Sequence, residues 1–120
     1  LTEALLVKVI IETKPRVIAR GERAMGPGKA DLLDLILETG SISAAAKRMR
    51  MSYSRAWQLV DVMNRSFRKP LVTTAAGGAR GGGAEVTAAG REALKRYRVM
   101  QVELATAAAV HGAAFVELLK

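Results

Sequence analysis

The chain is 120 residues long, half of them hydrophobic but only 4% aromatic, and its 19 Lys and Arg against 11 Asp and Glu leave a formal net charge of +8. This length fits a single domain with an aliphatic, alanine-rich core, and this charge favours polyanionic partners such as nucleic acid or an anionic membrane. The lack of Cys excludes disulfides, thiol chemistry and cysteine-ligated zinc and fits a reducing compartment, while the lone His111 cannot build a metal site with other histidines.

Val7, Val9 and Ile11 alternate with Lys8, Ile10 and Glu12, which predicts a strand. Thr13-Lys14-Pro15 predicts a turn and Arg16 to Arg20 a returning strand, so residues 1–20 read as an N-terminal β-ribbon. Gly26-Pro27-Gly28 then opens a helix over residues 27–39, because Pro at the first helical position lacks an N–H that would go unpaired there anyway. Leu32, Leu33, Ile36 and Leu37 recur at helical spacing, and Gly40 supplies the stop. Ser41 or Ser43 caps a short helix from Ala44 to Met49, and Ser52 or Ser54 opens a longer one to Phe67 with Ala56, Leu59, Val60 and Met63 inward. Pro70 ends that helix. Leu71 to Thr74 and Ala84 to Thr87 read as two strands around the glycine-rich stretch 77–83.

The last predicted helix runs from Ala88 toward Lys120, with Thr87 as its cap and Gly112 as a weak point. Leu94, Tyr97, Gln101, Leu104, Ala108, His111, Phe115 and Leu118 follow alternating steps of three and four, a heptad seam. A continuous helix of about 30 residues spans roughly 45 Å, more than a small domain can cover. A partner helix is the economical solution, and folding back onto Leu32, Ile36 and the ribbon is the alternative. Gln101 and His111 in the seam would fix register at some cost in stability. No stretch is expected to reach the roughly 18 apolar residues of a membrane span, since Glu103 and Glu117 flank the alanine run and Thr106 and His111 interrupt it. The N-terminus lacks a signal-peptide pattern, so a cytoplasmic protein without membrane contact is expected. The whole is one mainly α domain with small β elements: ribbon 1–20, helical unit and wing 26–87, long helix 88–120.

The residues that carry function lie between 41 and 58. Two helices that cross closely need small side chains at the crossing, and Ala45 and Ala46 meet that need. Met49, Met51 and Ala56 fall where such a unit wants apolar contacts, and the second helix then presents its N-terminal residues to a DNA major groove. An ordinary pair of core helices is the competing interpretation. The run Gly40-Ser41-Ile42-Ser43-Ala44-Ala45-Ala46-Lys47, then Met51-Ser52-Tyr53-Ser54-Arg55-Ala56-Trp57 and Met63-Asn64, is similar to the DNA-binding domain of LysR-type regulators and more closely resembles the molybdate-responsive ModE family. Leu71-Val72, the segment Gly77-Gly78-Ala79-Arg80-Gly81-Gly82-Gly83-Ala84, Thr87 and Gly90 extend the likeness over residues 26–100. The resemblance implies a winged helix-turn-helix, pairing through the long last helix, and a role in molybdenum-related gene regulation. Long members carry further domains that bind molybdate; none fits within these 120 residues, so no cofactor is expected unless a further domain or partner supplies the site. Arg50 departs from the pattern, since many such units place glycine in the turn, and a positive φ there would strain it.

Tyr53, Ser54, Arg55 and Gln58 form the exposed start of the recognition helix, where Arg55 can pair with guanine and Gln58 with adenine; contact with phosphate or solvent alone is the alternative. Ser43 and Ser52 complete the DNA-facing set, although Ser52 can serve simply as a cap. Trp57 is expected to pack against the wing or an adjoining helix rather than touch DNA. The glycine stretch lacks the Gly-Lys-Ser/Thr ending of a phosphate-binding loop, so it reads as a wing tip with Arg80 supplying charge. Lys47, Arg48, Arg65, Arg68 and Lys69 flank the unit and offer phosphate contacts. The expected function is double-stranded DNA recognition by a homodimer. A winged protein-interaction adaptor is the alternative, and no cluster of nucleophile, base and orienting group is visible, so no enzyme is expected.

Overall fold

The computed structural model describes residues 9–75 and 83–120. Strands β1 (Val17–Ala19) and β2 (Glu22–Met25) form an antiparallel hairpin in which Ala19 pairs with Glu22 and Ile18 with Arg23. The hairpin turns at Arg20-Gly21, with φ of 50° and 78°. This corrects the expected ribbon, which placed the turn at Thr13-Lys14-Pro15. Residues 9–16 carry no strand, and residues 1–8 fall outside the described part of the chain. Two central residues at positive φ match the right-handed twist of paired strands, whereas Pro15 has no N–H to give to a ladder.

Helix α1 (Pro27–Thr39) starts on Pro and ends where Gly40, at φ 69°, donates its N–H to the Ile36 carbonyl at 2.8 Å. Helix α2 (Ile42–Arg48) begins two residues before the expected start, because Ser41 and not Ser43 is the cap: its Oγ accepts the Ala44 N–H at 3.1 Å. Helix α3 (Tyr53–Ser66) is capped by Ser52, whose Oγ accepts the Arg55 N–H at 3.0 Å. Strands β3 (Val72–Ala75) and β4 (Gly83–Val86) pair antiparallel in unbroken register as the wing, and helix α4 (Ala88–Val116) follows at once. Thr87 welds that junction. Its Oγ1 donates to the Pro70 carbonyl at 2.7 Å and accepts the Gly90 N–H at 3.0 Å.

The core gathers one face of each element: Leu32, Leu33 and Ile36 from α1, Ala45 and Ala46 from α2, Ala56, Val60 and Met63 from α3, and Val72, Ala84 and Val86 from the wing. Leu94 and Tyr97 of α4 complete it, and the Tyr97 hydroxyl donates to the Pro15 carbonyl at 2.7 Å. Both had been expected in a seam between chains. They lie instead within the protomer, because the first turns of α4 cover α1 and the approach to β1. Beyond Met100 the helix runs clear of the core, and the molecule measures 60 × 28 × 23 Å. Gly112 does not interrupt it; the Ile11 side chain occupies the space that a Cβ there would need. By length and composition α4 is long and apolar enough to cross a membrane, contrary to the sequence-based expectation, because alanine and valine outweigh the scattered polar residues.

The α4–wing junction depends on a missing side chain. A Cβ on Gly90 would stand 2.3 Å from the Leu71 carbonyl oxygen and 2.6 Å from Val86 Cγ1, so backbone would have to move. Gly90→Ala is expected to lower unfolding free energy by about 1–3 kcal/mol in urea titration. Gly28→Ala meets no atom within 4 Å and is expected to raise it by about 0.5 kcal/mol. Equal effects of the two would refute the close approach.

Candidate nucleic-acid interface

Helix α3 has one face sealed and one open. Ala56, Val60 and Met63 are fully buried, while Tyr53, Ser54, Arg55 and Gln58 are exposed, Tyr53 at 54%. The first turn and a half of α3 therefore projects a tyrosine, a serine, a guanidinium and an amide from a helix fixed along its opposite side. Trp57 is half-buried against the core, and Tyr53 meets its ring edge-on with centroids 6.2 Å apart. That contact orients Tyr53 on the open face. Ser52 is exposed at the helix start, with its oxygen taken by the cap. Ser43 sits exposed near the start of α2, not at its cap. Arg80 lies outside the described residues.

The turn between α2 and α3 is a hydrogen-bonded helix stop. Arg50 donates its N–H to Lys47 O and Met51 to Ala46 O, both at 3.1 Å, which requires the left-handed conformation that Arg50 adopts at φ 56°. The expected departure from glycine is thus realised by a non-glycine residue in a strained region. Small side chains set the crossing, with Ala45 and Ala56 at 0% exposure and Ala46 at 2%.

Polar ties hold the wing relative to α3. Asn64 Oδ1 accepts the N–H groups of Leu71 and Val72 at 2.9 and 3.1 Å, and its Nδ2 donates to Val72 O at 2.9 Å. On the other strand, Ala84 donates its N–H to Gly40 O at 2.9 Å. Arg65 Nη1 donates to both Glu22 oxygens at 2.6 and 2.7 Å, joining the end of α3 to the hairpin. Arg98 Nη2 donates to Asp31 and Asp34 at 2.9 and 2.5 Å while its Nη1 donates to Gln101 Oε1 at 2.8 Å, fastening α4 to α1. Of the flanking cations, Arg48 pairs with Glu38, whereas Lys47, Arg68 and Lys69 are exposed without an ion pair among the described residues.

The seam expected on α4 divides. Leu94 and Tyr97 belong to the core, Gln101 and Ala108 are half-buried, and Leu104, Phe115 and Leu118 are open at 42%, 65% and 80%. His111 is exposed on the same line.

Two contributors escaped the sequence reading. Asn64 had been noted only within the family-like pattern, and a polar residue one step after the buried Met63 was its sole signal. Lys29 is 9% exposed in the first turn of α1, and its ammonium is held below the usual lysine range by burial and by Arg55 and Arg23, against the pull of Glu22. A cation at a helix start opposes the dipole, which was the available clue.

Three helices packed around an alanine crossing, with a two-stranded wing tied to the second helix of the pair, define a winged helix-turn-helix. The sequence pattern described as the bacterial regulatory helix-turn-helix protein, lysR family, matches residues 29–91, and the chain belongs to that family. It is 42% identical to the molybdenum-pterin-binding protein MopB of Rhodobacter capsulatus over 74% of this chain and 33% of the relative. It is 39% identical to the molybdenum transport protein ModE of Azotobacter vinelandii over 70% and 31%, and 38% identical to the DNA-binding transcriptional dual regulator ModE of Escherichia coli K12 over 62% and 28%. The chain thus spans about a third of the length of these relatives. Among solved structures it is similar to the CbnR DBD–DNA complex, with a TM-score of 0.54 and 25% identity over 74% of this chain and 95% of that one. The full-length LTTR LysG from Corynebacterium glutamicum with bound effector Arg gives a TM-score of 0.55 and 26% identity over 78% and 30%.

Asn64→Ala strands the Leu71 and Val72 N–H groups and is expected to cost about 1–3 kcal/mol in chemical denaturation. Asn64→Asp keeps the accepting oxygen and should lose less. An Asp variant as damaged as the Ala one would show that accepting those two N–H groups is not what stabilises the wing.

Proposed function

We propose that the chain binds double-stranded DNA sequence-specifically as a homodimer and regulates the transcription of molybdenum-related genes. The observation that carries DNA recognition is the open polar start of α3, Tyr53, Ser54, Arg55 and Gln58, on a helix whose other face is buried. In this reading α3 enters the major groove, Arg55 offers a bidentate pair to guanine and Gln58 one to adenine, each worth about 1–3 kcal/mol of discrimination. The wing, with Arg80 in its glycine-rich tip, lies along adjacent backbone. The likeness to a DNA-bound domain supports this assignment. The names of the relatives support the molybdenum link. Molybdate itself would be sensed only through a further domain or partner, and no step of catalysis is assigned to the chain. Such a protein works in the bacterial cytoplasm, where its DNA is.

Pairing is assigned to the free part of α4. Gln101, Leu104, Ala108, Phe115 and Leu118 line one side of it, and Leu104, Phe115 and Leu118 are left open by the protomer. A second α4 would cover them. Membrane insertion is the less favoured occupant of this helix: its first turns are tied into the domain by Arg98, and Gln101, Glu103 and His111 lie along the remainder. A two-fold dimer calls for a pseudo-palindromic site with half-sites whole helical turns apart.

Fluorescence-anisotropy titration against a duplex selected from a random library should give an affinity that falls steeply with salt. Arg55→Ala should cut the preference for that duplex over random DNA by about 5- to 150-fold; an unchanged preference would remove Arg55 from base reading. In sedimentation equilibrium the wild-type chain should be a dimer, and Leu104→Asp combined with Phe115→Asp should make it monomeric. A wild-type monomer would overturn the pairing, as would a double variant that still dimerises.

A further inference from the structure

The far end of the recognition helix carries a groove that base reading does not use. It lies where the β1–β2 turn, the segment after α3 and the first turns of α4 meet. We propose that this groove docks an acidic segment of a second protein, seating one apolar anchor side chain within a ring of cations. Such docking needs only the folded chain and goes beyond the DNA-binding reading above.

The groove has a volume of about 600 Å³, within the range of ligand clefts. Its floor is apolar. Leu71 is buried at 1% exposure, and Phe67, Ala89 and Ala93 are half-buried and packed against the core, so the floor is held by the fold. Ala89 and Ala93 stand one turn apart on α4, and their short side chains leave the floor open. The rim is cationic, with Arg20, Arg68, Lys69 and Arg96 all exposed. Glu92 is the acid that lines it among the described residues, and Arg96 already pairs with it. Arg20, Arg68 and Lys69 have no ion pair among the described residues. Three unpaired cations around an apolar floor complement a segment of opposite charge with an apolar residue at its centre. A DNA backbone would satisfy the rim but has nothing to bury on the floor. Arg20 adds an independent sign. It holds φ 50° in a turn where asparagine, aspartate or glycine sits with less strain. The arginine there puts a cation on the groove rim. The position also suits a partner met on the duplex. Helix α3 runs about 20 Å from its DNA-facing tip to Ser66. A segment seated over Phe67 to Lys69 therefore leaves Tyr53 to Gln58 clear.

The experiment is a selection of phage-displayed random dodecapeptides on the full chain, followed by amide chemical-shift mapping and anisotropy with the enriched peptide. Enriched peptides should carry aspartate or glutamate on both sides of a leucine, phenylalanine or tryptophan. They should move the signals of Arg20, Gly21, Phe67 to Leu71 and Ala89 to Ala93, and leave those of Tyr53 to Gln58 in place. Serine at the peptide's anchor should weaken binding about tenfold or more. Arg68→Glu combined with Lys69→Glu should weaken it about tenfold or more, and Arg20→Asn about 2- to 5-fold. Arg20→Asn should melt no lower than wild type, because asparagine tolerates the left-handed turn, so its loss of binding is not a loss of fold. Adding the selected duplex should not release the peptide. Release by the duplex would make the rim part of the DNA surface and overturn the docking site. Enriched peptides without acidic residues, signals that move only elsewhere, or no enrichment over bare support would each overturn it. So would a folded Arg68→Glu, Lys69→Glu chain that binds as tightly as wild type. If instead wild type binds phosphatidylglycerol vesicles, the charge variant does not, and no peptide is enriched, the groove meets a lipid surface and the proposal is wrong.

Discussion

The rest of the molecule depends on how closely α2 can approach α3. That distance is set by Ala45, Ala46 and Ala56, which have almost no exposed surface. Larger side chains at these positions would push the helices apart and require the close-packed core to rearrange. The crossing is completed by a turn whose hydrogen bonds require Arg50 to hold a left-handed conformation. With α2 pressed against it, α3 cannot roll, and its buried stripe of Ala56, Val60 and Met63 leaves Tyr53, Ser54, Arg55 and Gln58 outward.

A fixed helix recognises DNA as part of a unit only if its neighbours are fixed to it. Here that is done by buried or half-buried polar ties more than by apolar area. Asn64 takes two wing N–H groups on one oxygen and returns one donor to the same strand, so the angle between α3 and β3 has three constraints. Thr87 bridges the loop after α3 to the start of α4 in the same manner. The ion pairs of Arg65 and Arg98 are partly exposed, so each contributes little to stability and more to orientation. The wing, the hairpin and the long helix all refer back to the same three-helix body.

Much of this was legible from residue order alone, and the legible parts share a cause. Gly26-Pro27, Gly40, Ser52 and Thr87 act locally on the adjoining backbone, so the bounds of α1, α3 and α4 follow from nearest neighbours. The hairpin was misplaced because alternation over Val7 to Glu12 outweighed Arg20-Gly21, whose turn-forming character lies in a backbone conformation that Arg seldom adopts. Leu94 and Tyr97 fit a heptad as well as they fit a core. Periodicity cannot say which surface covers a stripe; Tyr97 is claimed by Pro15, distant in sequence. Within the interface, the open residues of α3 were readable because they sit opposite an apolar stripe. Asn64 was not, since its importance comes from the wing backbone, which only folding brings near.

The long helix extends the same logic outward. Its first turns are structural and its remainder is unspent apolar surface, so one element joins the recognition body to whatever covers Leu104, Phe115 and Leu118. The central claim, that the α3 tip meets duplex DNA, is tested most directly by amide chemical-shift mapping of the labelled chain as a selected duplex is added. The largest changes are expected at Ser52 to Gln58 and along β3 and β4, with Val110 to Val116 little affected. Quiet signals over Ser52 to Gln58 in the presence of saturating duplex would contradict it.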